Sequence, residues 1–289
     1  INKSKLDNEI DFSGIVTKTV SSHKKITSDA LVTITDEFEY DHAQRFKKQL
    51  QQINSAPKET IASNVYDGTG MLVQKKTGGK TNPLQTIDYK YNVQGSLTSI
   101  NDVNSSLPAT PDNDLFAFKL NYENPVEGTA NVPQLFNGNV TQTTWRNSLT
   151  NDKQSYTYNY DDLSRISRAN YRKGSSLNTD AGKFELYGIT YDKAGNINTL
   201  QRTGTSGQID NLTYKYETVG IKTNTLVDVT DSTSNTEGYK DTNASGDNYT
   251  YDTNGRLIVD KNKGVTNIQY NYLDLPTVIT FSNGNSVQV

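Results

Sequence analysis

Short apolar alternations separated by polar turns run through almost the whole chain. In YTYDTNGRLIVD (249–260) two tyrosines alternate with threonine, a polar turn follows, and Leu257 and Val259 alternate beyond it. Period-two alternation places both tyrosine rings on one face of a strand. Asp252 ends that strand, because its carboxylate can accept backbone N–H bonds two residues on. Asn254-Gly255 tolerates positive φ and closes the turn, so the segment predicts a β-hairpin. The same tyrosine pairing stands at Tyr89/Tyr91, Tyr158/Tyr160, Tyr214/Tyr216 and Tyr270/Tyr272.

The hairpin recurs. Aligned on the tyrosine, taken as position 0, the anchors are Tyr40, Tyr66, Tyr91, Tyr160, Tyr191, Tyr216, Tyr251 and Tyr272. Position 1 holds Asp41, Asp67, Asn92, Asp161, Asp192, Glu217, Asp252 and Leu273. Position 4 holds Gln44, Gly70, Gly95, Ser164, Gly195, Gly220, Gly255 and Pro276, and position 6 is apolar in every unit but that of Lys222. Two further segments, Phe12-Ser-Gly-Ile-Val16 and Phe136-Asn-Gly-Asn-Val140, read as shorter units lacking two turn residues. The period is roughly 20 to 35 residues, in the range of repeat architectures. Insertions such as 99–114 and 229–248 are rich in Ser, Thr, Asn, Asp and Gly and read as loops. HAQRFKKQLQQIN (42–54) brings Phe46, Leu50 and Ile53 near helical spacing, but it overlaps a repeat unit, where a strand pair is expected. The expected fold is all-β: one repeat region over 1–289, an array of antiparallel hairpins zipped side by side into a curved wall one sheet thick.

Composition fits that picture. Only 33% of residues are hydrophobic, and there are 18 Tyr against 8 Phe and 1 Trp. Tyrosine covers surfaces that stay partly wet, with its ring against neighbours and its hydroxyl toward water. Isolated hairpins are marginal, so each unit depends on the next. The net charge of −3 is spread along the chain, which gives no nucleic-acid footprint. No apolar run reaches the roughly 20 residues of a spanning helix. There is no cysteine, hence no disulfide and no thiolate metal site. The chain starts at Ile1 without a signal peptide and reads as an internal piece or a processed product.

Candidate chemistry is sparse. His23 and His42 stand in no ligand-spaced motif, no G-x-S-x-G is present, and KTGGK (76–80) lacks P-loop spacing. The repeated aspartates occupy equivalent turn positions, which implies structure and not catalysis. Trp145 reads as a packing anchor on a strand. One stretch, 241–252, sets Asp241, Asn243, Ser245 and Asp252 at calcium-loop spacing, although position twelve is Asp where a bidentate Glu is wanted and flanking helices are not expected. No cofactor is expected.

The units YDGTGMLVQKKTG (66–78), YDKAGNINTLQRTG (191–204) and YDTNGRLIVDKNKG (251–264), with the more diverged YNVQGSLTSIND (91–102) and YDDLSRISRANY (160–171), resemble the YD repeats of the Rhs family, found also in teneurins and toxin-complex C components. The order of segments is similar to Rhs proteins of Bacteroidota. The resemblance covers the chain from about residue 10 to its end. It implies a sheet that spirals into a hollow shell around a toxic C-terminal domain, and a secreted or cell-surface protein. The implied partners are that toxin domain, the remaining Rhs repeats and core, the export machinery and an immunity protein. The self-cleaving core segment of the family is not in this sequence, which has no Asp-Pro pair, and FSNGNSVQV (281–289) stops where another unit would begin. The expected function is a non-enzymatic wall segment. The alternative is a cell-surface adhesin or carbohydrate-binding module exported by the type 9 system.

Overall fold

The computed structural model describes the chain outside residues 1–2, 27, 80–81, 109–111, 113, 124–133, 219–220 and 244–245, with the backbone alone at 3, 217, 218, 221 and 222. The described residues form 23 strands and no helix. β1 (Lys3–Ile10), β2 (Val16–Lys24), β3 (Val32–Tyr40), β4 (Phe46–Ile53), β5 (Glu59–Tyr66), β6 (Leu72–Thr77), β7 (Gln85–Tyr91) and β8 (Leu97–Ile100) lie side by side in chain order. β9 (Phe116–Asn121), β10 (Gln142–Asn147), β11 (Gln154–Tyr160), β12 (Ile166–Lys173), β13 (Leu186–Tyr191), β14 (Ile197–Thr203) and β15 (Gln208–Lys215) continue the same sheet. β16 (Glu217–Thr218) and β17 (Ile221–Lys222) pair with each other in a separate sheet, and β18 (Asp228–Asp231) takes the place beside β15. The large sheet thus has 16 strands and does not close on itself. β19 (Tyr249–Tyr251), β20 (Leu257–Asp260), β21 (Val265–Tyr270), β22 (Pro276–Phe281) and β23 (Ser286–Gln288) form a five-stranded sheet in chain order. Contacts gather the chain into two units: Ile1–Asn121 with Thr143–Ser155 and Gly174–Ser176, and Tyr122–Gln142 with Tyr156–Lys173 and Leu177–Val289.

The hairpin turns are nearly identical. In the turn at 252–256, the Asp252 N–H donates to the Arg256 carbonyl at 2.9 Å and the Gly255 N–H to the Asp252 carbonyl at 3.0 Å. This pair of bonds recurs in turns beginning at Asp11, Asp41, Asp67, Asn92, Asp161, Asp192, Asn271 and Phe281. Each is a type I turn followed by a residue in the left-handed region. That residue is always position 4, with φ of +91° at Gly70 and +79° at Gly255. Where it is not glycine, Gln44, Ser164 and Asp274 still take φ near +60°. Asn254 is not in that region, so the turn differs from the Asn-Gly type expected: the glycine alone bends back.

Three expectations are corrected here. The first unit is of full length, since Asp11 makes the turn bonds and Ile10, paired with Val16, replaces the tyrosine. The last anchor is Tyr270, not Tyr272: Asn271 can accept the N–H groups of Leu273 and Leu275, whereas Leu273 carries no acceptor at all. FSNGNSVQV is itself a hairpin, with Thr280 opposite Ser286. The segment 42–54 takes the expected strand form: a turn, then strand β4 from Phe46 to Ile53. Pairing with β3 and β5 satisfies its backbone on both sides, and the Phe46 ring meets Tyr40 and Phe38 edge-on at 6.3 and 6.4 Å.

Seven of the hairpins also carry a bulge one step beyond the turn, and the last, β22 with β23, does not. Tyr66 faces Leu72 but Val65 faces Gln74, which leaves Val73 without an opposite number. The same one-residue shift follows Ile10, Tyr40, Tyr91, Tyr191, Tyr251 and Tyr270.

Little of this sheet is a conventional core. Between residues 4 and 100, only Thr86 among the described residues is fully buried. Two sheets packed face to face would have made an inner face of buried side chains, so β1–β8 stand as one layer. Burial concentrates under the insertions. In the first unit Val103, Leu107 and Ala117 form a buried cluster. The loop bearing it is held by bonds from Arg146 to the Ser105 carbonyl (2.8 Å) and from Lys153 to Asn104 (3.1 Å). In the second unit the loop at 232–248 is held by the fully buried Asp210, which accepts from the Tyr239 N–H at 2.6 Å and from Arg202.

Gly195→Ala, where an added methyl meets nothing within 4 Å, is expected to cost about 1 kcal/mol through the left-handed backbone alone. Gly238→Ala would set its methyl 2.2 Å from the Ile209 carbonyl oxygen and is expected to cost more. Hydrogen exchange at the Tyr239 amide, fast in the second variant and protected in the first, measures the difference.

Candidate functional site

Two features stand out: a bonded column that runs from hairpin to hairpin, and the place where it is interrupted. The column is built at the turns. Oδ1 of Asp67 accepts from the N–H of Thr69 at 2.9 Å and of Met71 at 3.0 Å. Asp11, Asp41, Asp161, Asp192 and Asp252 do the same in their own turns. Asn92 and Asn271 do it with an amide oxygen. These donors hold the carboxyls below the ordinary range, led by the Thr69 hydroxyl at Asp67, the Asn196 side chain at Asp192 and the Arg256 N–H at Asp252.

In six units the tyrosine then reaches back to the unit before. The Tyr66 hydroxyl donates to the Phe46 carbonyl at 2.8 Å, Tyr91 to Leu72 at 2.9 Å and Tyr191 to Ile166 at 2.7 Å. Tyr40 bonds Val16, Tyr160 bonds Val140 and Tyr270 bonds Leu257 in the same way. Every acceptor is position 6 of the preceding unit. The bond from Tyr160 gives Val140 the place that position 6 holds in the other units, with Gly138 at φ +83° two residues before it. The acceptor adjoins the bulge, where the ladder is locally disrupted.

Position 5 adds a second tie that the sequence reading passed over. Arg45, Arg165 and Arg256 each bond the aspartate of their own turn through Nε at 2.6 to 2.7 Å. Each guanidinium also lies 4.4 to 4.8 Å from the ring centre of the next unit's tyrosine, Tyr66, Tyr191 or Tyr270. The clue in the sequence was arginine directly after position 4 in three units.

The column breaks at Tyr216. Beyond it Glu217 pairs with Lys222, one residue out of the usual register, and β15 takes β18 as its neighbour with Tyr214 opposite Val229. The segment between leaves the large sheet. A cleft of about 1070 Å³ lies there, lined by the preceding turn (Asp192, Lys193, Ala194), by Tyr191, Tyr214 and Tyr216, and by Thr223, Asn224 and Asp228. Burial raises the three phenols, and it raises Asp228 ahead of the charges of Asp241 and Asp247. Two signals marked this unit in the sequence: a polar position 6, Lys222, and a long spacing to the next anchor, Tyr251.

Gly220 and Ser245 lie outside the described residues. Of the calcium-loop candidates, Asp241 keeps Oδ1 buried with no hydrogen-bond partner among the described residues. Asp252 is taken up by its turn, and Asn243 donates to Asn248 at 2.6 Å. Among the described residues no group of three or more His, Cys, Asp or Glu side chains could hold a metal ion. Tyr272 is 92% exposed. Trp145 is half-buried on β10, His23 Nδ1 meets the Ser4 hydroxyl at 2.9 Å, and His42 is an exposed turn residue. No described helix is long and apolar enough to cross a membrane. No protein-family model and no curated protein matches the chain.

Tyr270→Phe is expected to lose about 1 kcal/mol of stability by orphaning the Leu257 carbonyl, while Tyr272→Phe changes nothing; denaturant titration of the two variants checks the corrected register. Acid should unfold the chain steeply. The turn carboxyls have lower pKa values folded than unfolded, so their contribution is complete above the unfolded value of about 3.9 and is lost as pH falls through the folded values. Asp67→Asn, which keeps the amide acceptor seen at Asn92, should hold the fold at pH 7 and flatten that acid limb, as read by circular dichroism against pH.

Proposed function

We propose that this chain is a wall segment of a secreted or surface polymorphic toxin of the Rhs type, a non-enzymatic part whose sheet spirals around a C-terminal effector domain. The observation that carries the reading is the column of tyrosine and aspartate bonds. It joins successive hairpins into one open 16-stranded sheet without asking any strand to bury a full apolar face. A wall of this kind works by exclusion. It keeps a cargo from its targets until the wall opens, and it needs rigidity and reach more than reactive groups. The insertion that buries Val103 and Leu107 with Ala117 of β9 fits a surface that is plugged locally and not packed throughout. The other partners of this reading are the remaining repeats and core, the export machinery and an immunity protein.

Limited proteolysis of the full-length gene product tests it. The C-terminal domain should resist protease while the repeats are intact and become sensitive once they are unfolded or cut. A C-terminal domain digested as fast as the isolated domain, or a full-length chain with no segment beyond its repeats, overturns the reading.

A further inference from the structure

Asparagine is followed directly by glycine at Asn137-Gly138, Asn254-Gly255 and Asn283-Gly284. All three pairs are exposed, and the glycines share one backbone conformation, with φ of +83°, +79° and +83°. Such a pair is chemically reactive. The glycine nitrogen has no side chain beside it to shield it, and it can attack the side-chain amide of the asparagine before it.

The turns treat that nitrogen differently. The Gly255 N–H donates to the Asp252 carbonyl at 3.0 Å, and the Gly284 N–H to the Phe281 carbonyl at 3.0 Å. Gly138 stands at the matching place before Val140, but its turn is not closed. Leu135 donates its N–H to the Glu123 carbonyl at 3.2 Å, and among the described residues the Gly138 N–H has no acceptor. The asparagine side chains do not make the difference. Asn137 Oδ1 accepts from the Asn139 N–H at 3.1 Å, just as Asn283 Oδ1 accepts from the Asn285 N–H at 3.0 Å. The unengaged glycine nitrogen is what sets Asn137 apart.

We propose that Asn137 is a site of self-modification, converted in the folded protein to aspartate and isoaspartate while the turns keep Asn254 and Asn283 intact. Solvent base takes the Gly138 amide proton, and the nitrogen forms a bond to Cγ of Asn137. The Cγ–Nδ2 bond breaks, and Nδ2 gains a proton and leaves as ammonia. Water then opens the succinimide ring at either carbonyl, so one water is consumed for each ammonia released. In the closed turns the same attack waits until the glycine N–H leaves its carbonyl by local opening. Conversion also removes a tie between hairpins, because Asn137 Nδ2 donates to the Ser164 hydroxyl at 3.1 Å. The inference is independent of the wall reading, since it needs only the turns.

The intact chain is incubated at mildly alkaline pH, folded and in denaturant, then digested for peptide mapping by tandem mass spectrometry, with ammonia release followed alongside. In the folded chain Asn137 should convert faster than Asn254 and Asn283 by about fivefold or more, the factor that one net hydrogen bond makes. In denaturant the three rates should converge. Asn137→Gln, at an exposed position, should remove the fast phase of ammonia release, and Asn254→Gln should leave it. Equal rates in the folded chain, a difference that persists in denaturant, or a fast phase that survives Asn137→Gln overturns the proposal.

Discussion

A tyrosine hydroxyl bonded to a carbonyl beside a bulge is the contact on which the rest of this molecule depends. Hairpins with so few apolar residues cannot be held by burial, and a ladder of backbone bonds alone leaves two-stranded units marginal. The bulge disrupts the ladder beside position 6 in most units, and there the next tyrosine arrives with the donor. Its ring meanwhile covers the neighbouring strand, and in three units an arginine tied to the turn aspartate lies on it. Local turn chemistry, strand pairing and unit-to-unit cohesion are therefore one network. This explains why a residue with a hydroxyl outnumbers Phe and Trp so heavily.

The interrupted unit shows what the network excludes. Where the return strand leaves the sheet after Tyr216, β18 keeps the edge of β15 paired, and the displaced segment makes one side of a cleft.

Much of this was legible in the sequence, for a physical reason. Period-two alternation, an acceptor at position 1 and glycine at position 4 are each demanded by the backbone of the same turn, so they appear together as a readable word. The all-β architecture and most hairpin positions follow from it. The misreadings came where one letter of that word was missing. Ile10 stands where tyrosine was sought, and Tyr272 offers a tyrosine without an acceptor after it. The aspartate or asparagine was the better anchor, because the turn needs its oxygen before it needs the ring. The arginine ties and the bonds to position 6 were not legible, since they join residues about twenty apart whose proximity depends on strand pairing. The cleft was marked only by irregularity, at Lys222 and the long spacing after it. The buried plugs were hidden because the segments around Val103 and Leu107 carry polar composition throughout.

The tyrosine bonds also have a direction: each reaches from a later hairpin to an earlier one. A chain emerging from its N-terminal end would leave the last carbonyl of each new hairpin waiting until the following tyrosine arrived, whereupon that hairpin would lock. Ordering would advance like a ratchet behind the growing or translocating chain, and a hairpin whose successor had come undone would be the next to loosen.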